Sequence, residues 1–193
     1  MAALDPENLH ASVLLSETIG LLEPKPKEVF VDATLGMGSH TKALLETEAT
    51  LRVIGIDQDD EALKAAKERL SGFSDRVQFV KGNFADIRKY AERADAILAD
   101  LGVSSLQFDS ETRGFSFRFD SPLDMRMDAE SDALNAAELL QQLDEEEIAN
   151  IIYRFGEERF SRRIARRIVE RRNAGNPVST TRELAELVER SVP

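Results

Sequence analysis

Two glycines and an aspartate in the first third of the chain have the spacing of a loop that binds a nucleotide-like ligand. Gly36 and Gly38 follow Asp32 closely, and glycine lets the backbone turn tightly and approach a ligand. Asp57 lies 21 residues after Gly36, where a carboxylate can accept hydrogen bonds from a ribose diol. These residues predict a site for a nucleotide-like cofactor.

The elements that would position these residues alternate between strand and helix. Stretches with the composition of buried strands occur at 29–31, 51–56, 76–81 and 94–101. Helices are expected from Ser39, at 59–70 and at 85–92, and Ser39 or Thr41 is expected to cap the first of them. This alternation predicts a parallel, Rossmann-like α/β sheet. Ligands of such sheets bind beyond the carboxyl ends of the strands, where five candidate contacts lie: Asp32, Gly36, Asp57, Phe84 and Asp100.

After Asp100 the pattern changes, which predicts a division into domains at 1–107 and 108–193. Residues 102–109 are expected to form a loop. The segment Arg113–Phe119 alternates phenylalanine with serine and arginine, which predicts an extended segment with one aromatic face. It is either a hydrophobic flap packed on the sheet or a surface that stacks on bases and contacts phosphate.

The region from Asn135 onward is predicted to be helical, with an arginine-rich helix at about 158–172. Apolar residues at the spacing of a helix mark its buried face. Four arginines occupy its other faces, namely Arg159, Arg162, Arg163 and Arg166. They form either a solvated face or a ridge that contacts phosphate.

The composition excludes several classes of protein. There are no cysteines, so disulfides and thiolate metal sites are excluded, and no metal ligands are assigned. No apolar run approaches the roughly 20 residues that span a bilayer, and we expect a cytoplasmic protein without a membrane partner. The net charge of −11 argues mildly against nucleic acid, but the arginine-rich helix shows that the charge is segregated. His10 is read as a partly buried polar residue.

Longer motifs, in order along the chain, resemble one family. They are Asp32-Ala-Thr-Leu-Gly-Met-Gly-Ser-His, Asp100-Leu-Gly-Val-Ser-Ser, Arg113-Gly-Phe-Ser-Phe, Pro122-Leu-Asp-Met-Arg-Met-Asp and Gly156-Glu-Glu-Arg-Phe. The sequence is similar to the bacterial 16S ribosomal RNA cytosine-N4 methyltransferases, often called MraW. The start of the chain, Leu9-His-Ala-Ser-Val-Leu-Leu, also resembles theirs.

The resemblance implies S-adenosylmethionine as cofactor and a cytidine of small-subunit ribosomal RNA as substrate. It implies cofactor contacts from Gly38, Ser39 and His40 in the loop, from Asp57 at the ribose and from Phe84 near the adenine. It implies that Asp100 and Gln107 close the site. By analogy with amino-methyltransferases, Asp100 is the candidate catalytic residue, because a carboxylate can accept a proton from the attacking amine.

Two departures from the family pattern stand out. Met37 and Ser39 replace residues in a loop that is usually richer in glycine, and Leu106 stands where proline is usual. Family members also continue with further strands, whereas this chain ends at Pro193. We therefore expect an incomplete sheet with an inserted helical domain, weak cofactor binding, little turnover, and self-association into a homodimer through exposed Ile97 and Leu98.

Two alternatives remain open at this point. A nicotinamide dehydrogenase would use a similar strand and loop, but Thr41 stands where the third glycine of its fingerprint belongs. A non-catalytic RNA-binding or assembly module would retain the arginines without the chemistry. Binding of S-adenosylmethionine or of NAD separates the alternatives.

Overall fold

The computed structural model describes residues 14–193, so His10 and most of the segment Leu9–Leu15 lie outside the described residues. The chain forms two compact units, Met1–Gly102 and Val103–Pro193. The sequence places the boundary a few residues later, after Gln107. Each unit has its own hydrophobic core, and each is described by itself below.

The first unit is built on a parallel sheet, as the alternating pattern predicts. In the described residues its strands are β1 (Val29–Asp32), β2 (Arg52–Asp57), β3 (Val77–Lys81) and β4 (Ala96–Leu98). The strand order is β3-β2-β1-β4, and every neighbouring pair is parallel. The chain moves outward from β1 to β3 and then returns to the other side of β1. This reversal between β1 and β4 confirms the Rossmann-like fold class.

Helices alternate with these strands and cover the sheet. They are α1 (Leu15–Leu22), α2 (Ser39–Thr47), α3 (Asp60–Arg69) and α4 (Ile87–Tyr90), with short 3-10 turns at Ser71–Phe73 and Phe84–Asp86. The short helix predicted at 85–92 is present but is shorter than expected, because a 3-10 turn occupies the start of that stretch. The core gathers apolar residues from the strands, α2 and α3: Phe30, Leu35, Leu44, Leu45, Leu51, Val53, Leu63, Ala66, Leu70 and Val77.

The second unit is helical, as predicted. Its helices in the described chain are α5 (Ser105–Asp109), α6 (Ala136–Gln142), α7 (Glu145–Gly156), α8 (Ser161–Asn173) and α9 (Thr181–Glu189). Its core forms around α7, α8 and α9 and contains Leu123, Ile148, Ala149, Ile164, Ala165, Ile168, Val178 and Leu187. The apolar face of α7 is incompletely covered, because Ile151 and Phe155 are exposed. α7 ends at a left-handed residue, Glu157, which takes the place usually held by glycine.

Two predictions for the start of this unit are wrong. The loop expected at 102–109 contains α5, because Ser104 and Gln107 form a capping box at its first turn. The segment Arg113–Phe119 forms bends and a turn, without strand. Phe117 is 73% exposed, whereas Phe115 and Phe119 are half-buried, so the phenylalanines do not share one face.

In residues 14–193, no helix has the length and apolar composition needed to cross a membrane.

Candidate cofactor site

The site begins where β1 ends, at Asp32, which is buried and bonded within the protein. Its carboxylate accepts hydrogen bonds from the Thr41 hydroxyl at 2.7 Å and from the Thr34 N–H at 3.3 Å. Burial raises the pKa of Asp32, although the hydrogen bond from Thr41 opposes the shift. Asp32 therefore fixes the loop and α2 relative to each other, and it is a positioning residue rather than the ligand contact that its place in the sequence suggests.

The loop after Asp32 needs both of its glycines. Gly36 and Gly38 have φ angles of +52° and +77°, in the left-handed region that other residues rarely adopt. The Gly38 N–H donates to the Leu35 carbonyl at 2.8 Å and closes a tight turn. A β-carbon at Gly38 would lie 2.8 Å from Cδ1 of Leu70. Gly38 is thus required both by the turn and by the close approach of α3.

The first turn of α2 has no side-chain cap in the described residues, and the expected cap from Ser39 or Thr41 is wrong. Gly38 occupies the capping position. The Ser39 hydroxyl accepts a hydrogen bond from Arg69 of α3, and the Thr41 hydroxyl donates to Asp32. The backbone N–H groups at the start of α2 are therefore left to bind an anion, as helix N-termini do.

His40 is the second residue of α2 and is 9% exposed. Its Nε2 atom has no hydrogen-bond partner in the part of the chain that the structure describes. Because the ring is enclosed, we expect a cofactor to meet the backbone N–H of His40 rather than its imidazole.

Asp57, at the end of β2, joins two parts of the site. Its Oδ2 accepts the Gly36 N–H at 2.8 Å, and its Oδ1 accepts the Asp59 N–H at 2.9 Å. Each carboxylate oxygen has a second lone pair for another donor. Asp57 can therefore accept hydrogen bonds from a ribose while it holds the glycine loop in place.

Phe84 follows β3 at the same edge of the sheet. The Gly82 N–H donates to the Asp57 carbonyl at 2.9 Å, which ties the end of β3 to the end of β2. Asn83 caps the following turn by accepting the Ala85 N–H at 2.9 Å. The Phe84 ring is 42% exposed, and an exposed ring can stack on an aromatic base.

Asp100 follows β4 and lies beside the glycine loop. Its N–H donates to the Thr34 hydroxyl at 2.7 Å, and the Ala33 N–H donates to the Leu98 carbonyl at 2.8 Å. The Asp100 side chain is exposed. Sequence analysis missed Thr34, which holds Asp100, and Arg69, which holds Ser39. A small polar residue between Asp32 and Gly36 is a weak signal for the first, and the sequence has no signal for the second.

The structure gives Gln107 a structural role within the second unit. Its Oε1 accepts the Ser104 N–H at 3.0 Å, and its own N–H donates to the Ser104 hydroxyl at 3.2 Å. The side chain is 4% exposed. The other predicted cofactor contacts belong to the first unit, where the hydrogen bonds above connect the ends of all four strands.

The arginines in and just before α8 fall into two groups. Arg159, Arg162, Arg163 and Arg166 are exposed, as the sequence predicts. Arg166 pairs with Glu145 at 3.6 Å, and Arg159 lies over the Phe160 ring. Within residues 14–193, no side-chain hydrogen bond or ion pair is found for Arg162 or Arg163.

The remaining arginines of this helix stabilise the fold. Arg172 donates to the carbonyls of Leu140, Gln141 and Leu143 at 3.0, 2.9 and 2.7 Å, and so caps the end of α6. Arg171 forms an ion pair with Glu183 of α9 at 2.7 Å. Some arginines of this helix therefore hold α6 and α9 in place and are not available to RNA.

Arg113 is buried, which removes it from the predicted RNA-contacting surface. It is 7% exposed, and its guanidinium donates to the carbonyls of Arg126 and Met127 at 3.1 and 2.8 Å. Arg126 in turn forms a two-pronged pair with Asp124 at 2.8 and 2.7 Å. Hydrogen bonds from Arg126 hold the pKa of Asp124 below its usual value. The motif from Pro122 to Asp128 therefore organises a loop.

The comparison with known families decides where this chain belongs. The model of the MraW methylase family matches residues 7–193. The chain belongs to this family. The matched range contains the loop with Gly36 and Gly38 and the segment that contains Asp100.

Curated proteins that are similar to this chain include two that are named ribosomal RNA small subunit methyltransferase H. The relative from Gloeobacter violaceus is 53% identical over 185 residues, which cover 96% of this chain and 57% of the relative. The relative from Cyanothece sp. is 50% identical, with 98% of this chain and 63% of the relative covered. The chain thus spans about three fifths of the length of these relatives.

Two solved structures resemble the chain in part. An rRNA methylase from Streptococcus thermophilus aligns with a TM-score of 0.39 and 25% identity, over 45% of this chain and 53% of that protein. An RNA methyltransferase from Salinibacter ruber, solved with S-adenosyl-L-homocysteine, aligns with a TM-score of 0.36 and 23% identity, over 38% and 48%. We base the fold class on the strand order of this chain.

Proposed function

We propose that this chain binds S-adenosylmethionine and methylates the exocyclic N4 amine of a cytidine in 16S ribosomal RNA. The observation that carries the proposal is the shared edge of the sheet, where uncapped N–H groups of α2, the Asp57 carboxylate and the exposed Phe84 ring follow successive strands. This combination suits a ligand with an anion, a ribose and an aromatic base. Family membership and the shared name of the curated relatives support the same activity.

The residues at this edge fit the cofactor as follows. The start of α2 would hold the carboxylate through the backbone N–H groups of Ser39 and His40, and Gly38, whose own N–H closes the turn, would present them. Asp57 would accept hydrogen bonds from the ribose, and Phe84 would stack on the adenine. When bound, S-adenosylmethionine supplies a methyl group on a sulfonium, which is already a good leaving group. The protein therefore has mainly to align the amine with that methyl group.

Asp100 is the proposed catalytic residue. The N4 amine becomes more acidic as it attacks, so a carboxylate that accepts its proton lowers the barrier. The Asp100 side chain is exposed beside the glycine loop, and its backbone is fixed by the hydrogen bond that its N–H donates to the Thr34 hydroxyl. The target base has to leave its stack to reach such a carboxylate. We assign Gln107 the weaker role of supporting the segment that follows Asp100, because its side chain caps α5.

The proposed RNA partner is the small ribosomal subunit. Arg162 and Arg163 are exposed and without ion-pair partners in the described chain, so they are the arginines of α8 best suited to phosphate. Arg118 and Phe117 of the segment Arg113–Phe119 are also exposed. Arg113 is excluded by its burial. A cytoplasmic location would follow from a ribosomal substrate.

Methyl transfer to isolated small subunits tests this function. Subunits lacking the modification are incubated with labelled S-adenosylmethionine and either this chain or the full-length Gloeobacter violaceus relative, and the RNA is digested to nucleosides. We expect label in N4-methylcytidine, at a lower rate for this chain, and loss of label in Asp100→Asn. Absence of label with this chain alone would favour the RNA-binding module, and label in another nucleoside would overturn the proposed reaction.

A further inference from the structure

A cavity lies at the opposite end of the sheet from the candidate cofactor site. It occurs where the chain enters β1, β2 and β3, and its volume is about 450 Å³, within the range of small-ligand pockets. Its lining is mostly charged and consists of Lys27, Thr50, Arg52, Asp75 and Arg76. Three cationic side chains, which lie at or just before the starts of three strands, therefore converge at one groove, and the Asp75 carboxylate lies among them.

Two of these cations are available to a ligand. Lys27 and Arg52 are exposed, and no hydrogen bond or ion pair of either side chain is found within residues 14–193. A guanidinium offers a planar fork of N–H donors that matches phosphate oxygens, and an ammonium adds a point charge. Counting Arg76 and Asp75 as well, the lining side chains carry a net charge of about +2, which the Glu48 carboxylate bonded to Thr50 reduces to about +1, in a chain whose net charge is −11.

The floor of the groove is held in place by a chain of hydrogen bonds. The Lys27 N–H donates to the Thr50 hydroxyl at 2.8 Å, and this hydroxyl donates to the Glu48 carboxylate at 2.8 Å. The Thr50 N–H donates to the same carboxylate oxygen. These bonds hold Lys27 in a left-handed conformation, with φ of +66°, which a lysine adopts only where its surroundings enforce it.

The side chain of Arg76 is also held in place. Its guanidinium donates to the carbonyls of Glu48 and Leu45 at 3.0 and 3.2 Å and lies over the Phe73 ring at 5.0 Å. Two of its five N–H donors are used in this way, so it still contributes a positive charge and further donors. The floor of the groove needs no further ordering when an anion binds, so the entropic cost is confined to the Lys27 and Arg52 side chains at the rim.

We propose that this groove binds phosphate groups of the RNA backbone. The inference rests on the proposed function for its RNA partner, and it adds a contact at the end of the sheet away from the reacting base. A substrate that contacts both ends has to extend past the length of the strands, as a folded RNA does, whereas an isolated cytidine or a dinucleotide would reach only one end. The groove would thus favour structured ribosomal RNA over short RNA of the same sequence.

The test is a salt titration of RNA binding with a matched pair of double variants. Lys27→Gln with Arg52→Gln removes the two free cations of the groove. Lys64→Gln with Lys67→Gln removes the same charge from exposed positions of α3 outside the groove. Binding to a folded fragment of small-subunit RNA is measured at several salt concentrations. We expect the groove variant to bind more weakly and its salt slope to fall by about 1.4–1.8 units for two lost phosphate contacts, with a smaller change in the control.

Equal changes in both double variants would show that only net charge matters and would overturn the proposal, as would an unchanged slope in the groove variant. Thermal melting establishes that each variant is folded. Inorganic phosphate is titrated in parallel while the amide resonances of Thr50 and Arg52 are followed by NMR. Shifts with phosphate but none with RNA would assign the groove to a small phosphorylated ligand and overturn the RNA assignment.

The same variants separate this inference from the proposed function. S-adenosylmethionine binding should be unchanged in the groove variant, because the groove lies at the other end of the strands. If the chain transfers no methyl group but the groove variant still shows the predicted loss of RNA affinity, the proposed function fails and the groove assignment stands. If methyl transfer is observed with unchanged RNA affinity in the groove variant, only the groove assignment fails.

Discussion

At the scale of single residues, Asp57 has two roles that an experiment can separate. It accepts the Gly36 N–H and thereby shapes the loop, and we propose that it also accepts a ribose hydroxyl. Asp57→Ala should weaken S-adenosylmethionine binding by about 1–3 kcal/mol, the cost of losing a charged acceptor. Calorimetry measures this change.

A deoxyribose analogue of the cofactor distinguishes the two roles of Asp57. The wild-type chain should lose affinity when the ribose hydroxyl is removed, whereas Asp57→Ala should bind both compounds equally, as expected for a direct contact. If removal of the ribose hydroxyl weakens binding equally in the wild type and in Asp57→Ala, Asp57 acts only by shaping the loop.

Asp124 should make stability depend on pH in a defined direction. Its pKa is lowered from 3.8 in the folded state by hydrogen bonds from Arg126, so the folded state favours the charged carboxylate. The stabilisation is fully present well above the ordinary pKa of 3.8 and is lost as the pH falls through the lowered pKa. Asp124→Asn should cost about 1–2 kcal/mol at pH 7.

Urea denaturation at several pH values measures this effect. The difference between the wild type and Asp124→Asn should shrink as the pH falls below 4. Asp120→Asn, at an exposed aspartate nearby, should show no comparable difference at any pH. A difference for Asp124→Asn that persisted at the lowest pH would contradict the account of the ion pair.

At the scale of elements, α8 should bind RNA through its two unpaired arginines. Arg162→Gln with Arg163→Gln should weaken RNA binding and reduce the salt slope by about 1.4–1.8 units, because neither side chain has to break an ion pair first. Arg182→Gln with Arg190→Gln, at exposed positions in or just after α9, provides a control of equal charge. Filter-binding titrations measure both quantities. Equal RNA affinity and salt slope in the two double variants would show that the arginines of α8 form only a solvated face.

The outer strand β4 should promote self-association. It pairs with β1 alone among the described strands, and Ile97 is 56% exposed on it. An unpaired strand edge with an exposed apolar side chain invites pairing with another chain. Light scattering over a concentration series should show growth in mass for the wild type and less for Ile97→Lys, with Lys64→Gln unchanged from the wild type. A wild-type monomer at every concentration would contradict this prediction.

The sequence predicted the sheet well because its signals are local and repetitive. Buried strands such as Val29–Asp32 are short apolar runs, and Gly36 and Gly38 mark the turn that follows. It failed at α5, because a helix of five residues is too short to show a period and depends on one capping box. It also failed for Arg113, since an arginine is expected at the surface. The burial of Arg113 is explained only by the carbonyls that it binds, which lie 13 and 14 residues later in the sequence.

The sequence predicted which residues lie at one edge of the sheet but not the hydrogen bonds among them, and their role as a cofactor site stays a prediction. Because each of them follows a strand, Asp57, Phe84 and Asp100 were correctly predicted to lie at one edge of the sheet. The sequence could not show that Asp32 is bonded to Thr41 or that Ser39 is bonded to Arg69. Those contacts join residues on different elements, so they depend on tertiary packing that no spacing along the chain reveals.

At the scale of the whole molecule, the two units have different chemical characters. The first presents a sheet edge with carboxylates, glycines and an exposed ring, and the second presents a helical surface with unpaired arginines. A methyltransferase for RNA needs both, one to hold the methyl donor and one to hold the polyanion. The groove at Lys27 and Arg52 extends this view by adding a cationic surface to the first unit.

The most direct test of the account is a calorimetric titration of this chain with S-adenosylmethionine, with NAD titrated under the same conditions as the comparison. The account predicts binding of S-adenosylmethionine and of S-adenosylhomocysteine, weaker binding in Asp57→Ala, and no measurable binding of NAD. Preference for NAD, or binding of neither compound by a folded chain, would contradict a methyl-donor site at the carboxyl ends of the strands.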